Sequence, residues 1–99
     1  MLTLIVGTQA SSAADPRPPT HAVTIENMQF SPPTLIVKRG DRVVWNNRDL
    51  VAHTATAAKA FDSGRLAPNA SWSYVARKTG RFDYVCTLHP TMKGRLVVE

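Results

Sequence analysis

Turn chemistry interrupts this chain so often that, from residue 21 onward, it has room for strands and little else. Pro32-Pro33, Gly40-Asp41, Ser63-Gly64, Pro68-Asn69 and Thr79-Gly80 each break it, and Gly and Pro are the strongest local punctuators of a chain. Between the breaks the side chains alternate. Val23 and Ile25 face one way and Thr24 and Glu26 the other; Trp72 and Tyr74 share a face in Ser71-Trp72-Ser73-Tyr74-Val75. In Arg81-Phe82-Asp83-Tyr84-Val85-Cys86 the same period puts Phe82, Tyr84 and Cys86 inward, with Arg81 and Asp83 opposite. A period of two marks half-buried strands. The thiol of Cys86 therefore arrives at the end of a strand, on its buried side.

The other segments follow suit. Thr34-Leu35-Ile36-Val37-Lys38 and Arg42-Val43-Val44-Trp45-Asn46 flank the turn Arg39-Gly40-Asp41 and read as a hairpin. Asn47-Arg48-Asp49 reads as a loop, and the Ala-rich stretch from Ala55 to Ala60 fits a short strand or a helical turn. Residues 87–94 read as a loop, after which Arg95-Leu96-Val97-Val98 forms the last strand. Seven to eight short strands predict an all-β, antiparallel Greek-key β-sandwich with Trp45, Trp72 and Phe82 as the bulk of its core. The 99 residues suffice for one domain. A core of that size is thin, so a bound metal would add appreciably to stability.

Twelve Lys and Arg against seven Asp and Glu give a formal net charge of +5. The only adjacent basic pairs are Lys38-Arg39 and Arg77-Lys78, without zinc-finger spacing or aromatic interleaving, so nucleic acid is not expected as a partner. The charge favours acidic protein partners during encounter. No segment is long and apolar enough to insert in a membrane. Leu2-Thr3-Leu4-Ile5-Val6 followed by Ser12-Ala13-Ala14 reads as a truncated secretion signal over residues 1–14. A Pro-rich lead-in follows over 15–20, then the domain over 21–99. Export places the protein in the periplasm. There, a single cysteine, Cys86, calls for an explanation, and metal ligation supplies one.

Cys86-Thr87-Leu88-His89-Pro90-Thr91-Met92 presents thiolate, imidazole and thioether at intervals of three. A second imidazole, His53, lies far off in Leu50-Val51-Ala52-His53-Thr54. Taken singly, each has an ordinary reading: an inert buried thiol, a surface histidine, a core methionine. Together they select copper. Thiolate and thioether favour Cu(I), imidazole accommodates both oxidation states, and a His, His, Cys plane with a weak axial Met characterises blue-copper electron-transfer sites. Zinc rarely recruits Met. The expected ligands are His53, Cys86, His89 and Met92 around one copper per chain. His21 has no partner motif.

With these residues the chain resembles the cupredoxins, the type 1 blue copper proteins, and among them most the amicyanins, with plastocyanin and pseudoazurin next. The resemblance spans residues 22–99. It rests on Met28-Gln29-Phe30-Ser31-Pro32, Val37-Lys38-Arg39-Gly40-Asp41, Val44-Trp45-Asn46-Asn47, Phe61-Asp62-Ser63-Gly64 and the loop from Tyr84 to Gly94, whose two residues between His89 and Met92 match the short amicyanin loop. It implies a one-electron carrier cycling between Cu(II) and Cu(I). The edge of His89 would be its port, ringed by Leu50, Val51, Ala52, Leu88 and Pro90, with Arg48, Lys59 and Lys93 steering acidic partners. It further implies a monomer that exchanges electrons with redox proteins, an amine dehydrogenase and a c-type cytochrome. Two positions depart from the family: Ala52 stands where Pro is common, and Thr54 where an Asn side chain ties the ligand loops. The Thr54 N–H would still donate to the Cys86 sulfur.

Catalysis is not expected. A multicopper oxidase flanks its ligand Cys with His on both sides, whereas Val85 and Thr87 flank Cys86, and a binuclear centre would need a second Cys. The alternative function is a periplasmic protein that stores or delivers copper.

Overall fold

The computed structural model describes residues 17–99. The expected signal at 1–14 and the first two residues of the lead-in lie outside them. Among the described residues nine strands follow in order: β1 Thr20–Glu26, β2 Gln29–Ser31, β3 Thr34–Val37, β4 Arg42–Asn47, β5 Thr56–Ala57, β6 Phe61–Asp62, β7 Ser71–Val75, β8 Gly80–Cys86 and β9 His89–Val98. They form a four-stranded sheet, β2-β1-β4-β7, and a five-stranded sheet, β3-β9-β8-β5-β6. The all-β sandwich is as expected, with nine strands where seven to eight are predicted. Its sheets are mixed: β1 and β4 run parallel, as do β3 and β9.

One local reading fails. β3 and β4 are not a hairpin, because β3 joins β9 while β4 joins β1 and β7. Two alternating runs around a glycine look the same whether the turn closes a hairpin or carries the chain across the edge of a sandwich. Here it crosses. Gly40 takes φ of 97°, and the Asp41 carboxylate accepts the Lys38 N–H at 3.0 Å within the turn. Its backbone bonds to Ala76 at the end of β7, not to a strand partner.

The core lies between the sheets. Val23, Ile25, Val43 and Trp45 from one meet Tyr84, Cys86, Leu96 and Val98 from the other. Trp45 packs edge-on against Tyr84 with ring centroids 5.5 Å apart, and Phe30 meets Tyr84 at 4.8 Å. Trp72 and Phe82 are only half-buried: Trp72 flanks Trp45 across the strand pair at 5.5 Å, and the aromatic ring buried against Trp45 from the other sheet is Tyr84. Tyr84 fits because its cross-strand neighbour is Gly94: a Cβ there would lie 2.3 Å from the Tyr84 Cζ. Burial pushes the Tyr84 phenol up to about 12, Trp45 pulling weakly the other way, although no hydrogen bond of ordinary geometry reaches either polar atom.

The segment after Cys86 is also more regular than a loop. β9 begins at His89, directly opposite Cys86, while Val85 already faces Lys93. Pro90, Thr91 and Met92 are thus extra residues on β9, a bulge that bends the strand where it leaves the site.

Candidate metal centre

Three elements deliver donor atoms to one end of the sandwich. The inward face of β8 ends at Cys86, fully buried. A two-residue turn at Thr87 and Leu88 brings His89 back opposite it. His53 comes from the 48–55 segment, fixed by a reciprocal backbone pair with Leu66 at 3.1 and 2.7 Å. The Cys86 Sγ lies 3.6 Å from His53 Nδ1 and 3.7 Å from His89 Nδ1, and all three donors fall within 4.8 Å of one another. Donors about 2.0–2.3 Å from a small ion in a trigonal plane stand about 3.6 Å apart. The observed spacing fits such an ion. Met92 is buried on the bulge three residues past His89.

The surrounding hydrogen bonds orient these donors. His53 is fully buried, and its Nε2 sits 2.7 Å from the Asp49 carboxylate. That bond places the ring proton on Nε2 and leaves the Nδ1 lone pair for the site. Asp49 also accepts the N–H groups of Asn27 at 2.7 Å and Met28 at 3.0 Å, the left-handed residues of the β1–β2 turn with φ of 56° and 59°. Burial opposes ionisation of Asp49, but the bonds from Met28, His53 and Asn27 outweigh it and hold the carboxyl below its ordinary range. Asn47, itself buried, accepts the Asp49 N–H and donates to the Val51 and Leu66 carbonyls, closing the loop from within.

Thr54 makes the link expected of it. Its N–H donates to Cys86 Sγ at 3.3 Å. Its hydroxyl accepts the Thr87 N–H at 2.9 Å and lies 3.1 Å from the Thr87 hydroxyl, so the two ligand-bearing loops are tied by a threonine pair. His89 is half-buried, its chain neighbour Leu88 is exposed, and so are Leu50 and Val51 on the segment that bears His53, Leu50 almost wholly at 94%. Asp49 and Asn47 are absent from the sequence-based site. An acid four residues before a histidine is a weak local signal, and the Asn27-Met28 turn that completes the carboxylate's bonds is remote in sequence.

The profile of the cupredoxin-like domain matches residues 1–98. Amicyanin of Paracoccus versutus is 30% identical over 94 residues, spanning 89% of this chain and 71% of that protein. Amicyanin-alpha of Methylorubrum extorquens is 34% identical over 83 residues, spanning 78% and 70%. Among solved structures, a methionine-to-alanine amicyanin variant in the Cu(I) state aligns with a TM-score of 0.77 at 30% identity, covering 81% of this chain and 82% of the other. An oxidized proline-to-alanine variant gives 0.77 at 29%, covering 88% and 87%.

Proposed function

The chain belongs to the cupredoxin-like family, and from that premise we propose that His53, Cys86, His89 and Met92 hold the copper of a one-electron carrier. The observation that carries this reading is the convergence of one thiolate and two imidazole Nδ1 atoms at 3.6 and 3.7 Å. Bound there, copper supplies reversible one-electron chemistry between Cu(II) and Cu(I).

The protein's own part is to fix the donors and limit access. Asp49 holds the His53 ring in the tautomer that offers Nδ1. The Thr54 N–H stabilises negative charge on Cys86 Sγ, and the Thr54–Thr87 pair holds the loops at a constant distance as the charge at the site changes. His53 and Cys86 are closed off from solvent, so exchange runs past half-buried His89. Leu50, Val51 and Leu88 offer the apolar surface on which a redox partner docks transiently. As a cupredoxin similar to the amicyanins, the chain is an electron carrier, not an enzyme.

The resemblance to amicyanins supports an amine dehydrogenase and a c-type cytochrome as partners. We place the monomeric protein in the periplasm, exported by the segment at 1–14, with the domain over 21–99. Among the described residues, no helix is long and apolar enough to cross a membrane.

The test is the visible spectrum and voltammetry of the protein loaded with Cu(II). One copper per chain, an intense blue band lost in Cys86→Ser, and a reversible one-electron wave are expected. A colourless complex that does not cycle would instead mark a storage or delivery protein.

A further inference from the structure

The strand registers define two poles. Cys86 and His89, with the ends of β1 and β4, make the metal pole. At the far pole Thr20 lies beside Arg42, Arg42 beside Val75, and Val98 beside both Gly80 and Val37. Two turns cover that end, residues 38–41 and 76–79. They are tied together by Gly40 N–H to Ala76 O at 2.7 Å and Ala76 N–H to Asp41 O at 2.9 Å. On and beside these turns stand Lys38, Arg39, Arg42, Arg77, Lys78 and Arg81, all exposed. They are half of the chain's twelve Lys and Arg. Among the described residues the acids nearby are Glu99, Asp83 and Asp41; Asp83 lies near Arg81 but is paired with Arg95, and Asp41 is buried and engaged by His21 at 2.9 Å and by the Lys38 N–H. The two adjacent basic pairs of the sequence, over thirty residues apart along the chain, thus meet on one surface.

We propose that this far pole docks on an anionic phospholipid surface of the phosphatidylglycerol type and holds the metal pole facing away from the bilayer. A protein partner would require a desolvated core of apolar and aromatic groups, and here the large apolar side chains are buried or half-buried apart from Ile36 on the flank. A single-stranded nucleic acid would require exposed aromatic rings for stacking, and the exposed large apolar residues of the described chain include none. What the pole offers is a set of long, exposed cationic side chains. That matches a planar surface of diffuse negative charge, which needs no shape complementarity. Each Lys or Arg close to such a surface strengthens binding about fivefold. With this pole engaged, the exposed Leu50, Val51 and Leu88 at the other end stay open to a redox partner.

The experiment is co-sedimentation of the copper-loaded protein with vesicles of phosphatidylglycerol and phosphatidylcholine, and with phosphatidylcholine alone. Two charge-matched variants are compared: Arg39→Glu/Lys78→Glu at the far pole and Arg48→Glu/Lys93→Glu at the metal pole. Binding only to the anionic vesicles, released by salt, is expected. The far-pole variant should weaken it at least about twenty-five-fold, from two cations at about fivefold each, while the metal-pole variant stays within a few-fold. Arg39→Gln/Lys78→Gln repeats the test without added acids, and circular dichroism confirms that each variant is folded. Three results would overturn the proposal: no sedimentation with anionic vesicles at low salt, equal loss in both charge-matched variants, or pole-dependent binding to soluble polyglutamate without binding to vesicles. The last would reassign the pole to an acidic protein.

Discussion

Asp49 is the sharpest place to test how the site is built, because its two carboxylate oxygens have separable duties. Oδ2 faces His53 Nε2 at 2.7 Å and the Met28 N–H at 3.0 Å, whereas Oδ1 takes only the Asn27 N–H at 2.7 Å. Asp49→Ala removes all three bonds. The turn amides are exposed and water can replace their partner, but the His53 ring is fully buried and its N–H would be orphaned. An unsatisfied buried donor costs about 1–3 kcal/mol. For a domain of this size that lowers the melting temperature of the metal-free protein by about 4–24 °C. Losing the partner that orients a ligand histidine also weakens metal binding about 10–100-fold. Asp49→Asn is the discriminating variant. An amide with its oxygen in the Oδ2 position still accepts from His53, while its NH2 confronts the Asn27 N–H. Copper affinity, measured by competition with a Cu(I) chelator, should therefore nearly recover in Asp49→Asn. The defect should move to the β1–β2 turn, read as faster amide exchange at Asn27 and Met28. If Asp49→Ala binds copper as tightly as the native protein and melts at the same temperature, the orienting role is wrong.

Gly94→Ala would drive a methyl group to within 2.3 Å of Tyr84, an overpacking that costs about 1–3 kcal/mol; the melting temperature should fall, and the same substitution made beside Tyr84→Val should cost almost nothing. A normal melt for Gly94→Ala would show that the ring has somewhere else to go. Asp41 is held below its ordinary 3.8 by the Lys38 N–H and then His21, so its contribution is complete above that pH and disappears as acid protonates the folded protein. Asp41→Asn should lower stability at neutral pH and flatten the acid limb of a denaturation series, and an unchanged slope below pH 3.8 would refute the assignment.

The all-β class and the inward face of β8 were legible because alternation is a local signal, and the donor types offered by His53, Cys86 and His89, which the fold brings together, could be read from residue identity and spacing. What escaped was long-range. The alternating runs around Gly40 do not say whether β3 and β4 pair with each other, and they do not. The 87–94 segment lacks alternation because its three-residue bulge breaks the period, which hides the start of β9. Trp72 reads as core from its size, but the strand that bears it lies at an edge of its sheet and leaves it half-buried. His21 and Asp49 gained meaning only when the fold supplied Asp41 and His53 as neighbours. Sequence shows what a residue can do, and contact order decides what it meets.

β9 follows every other described strand in the chain yet sits inside its sheet, between β3 and β8. Its parallel pairing joins Thr34 to Arg95 and Val37 to Val98, and the Glu99 N–H still bonds the Val37 carbonyl. During synthesis, β3 and β8 must therefore wait with an open edge between them until β9 has been made. Cys86 is enclosed only once β9 has paired with β8, so its thiol stays accessible until then. Contacts of such sequence separation also form slowly. Timing thus becomes a hazard for this protein: before β9 docks, oxidation or a wrong metal can claim the sulfur that the finished fold protects.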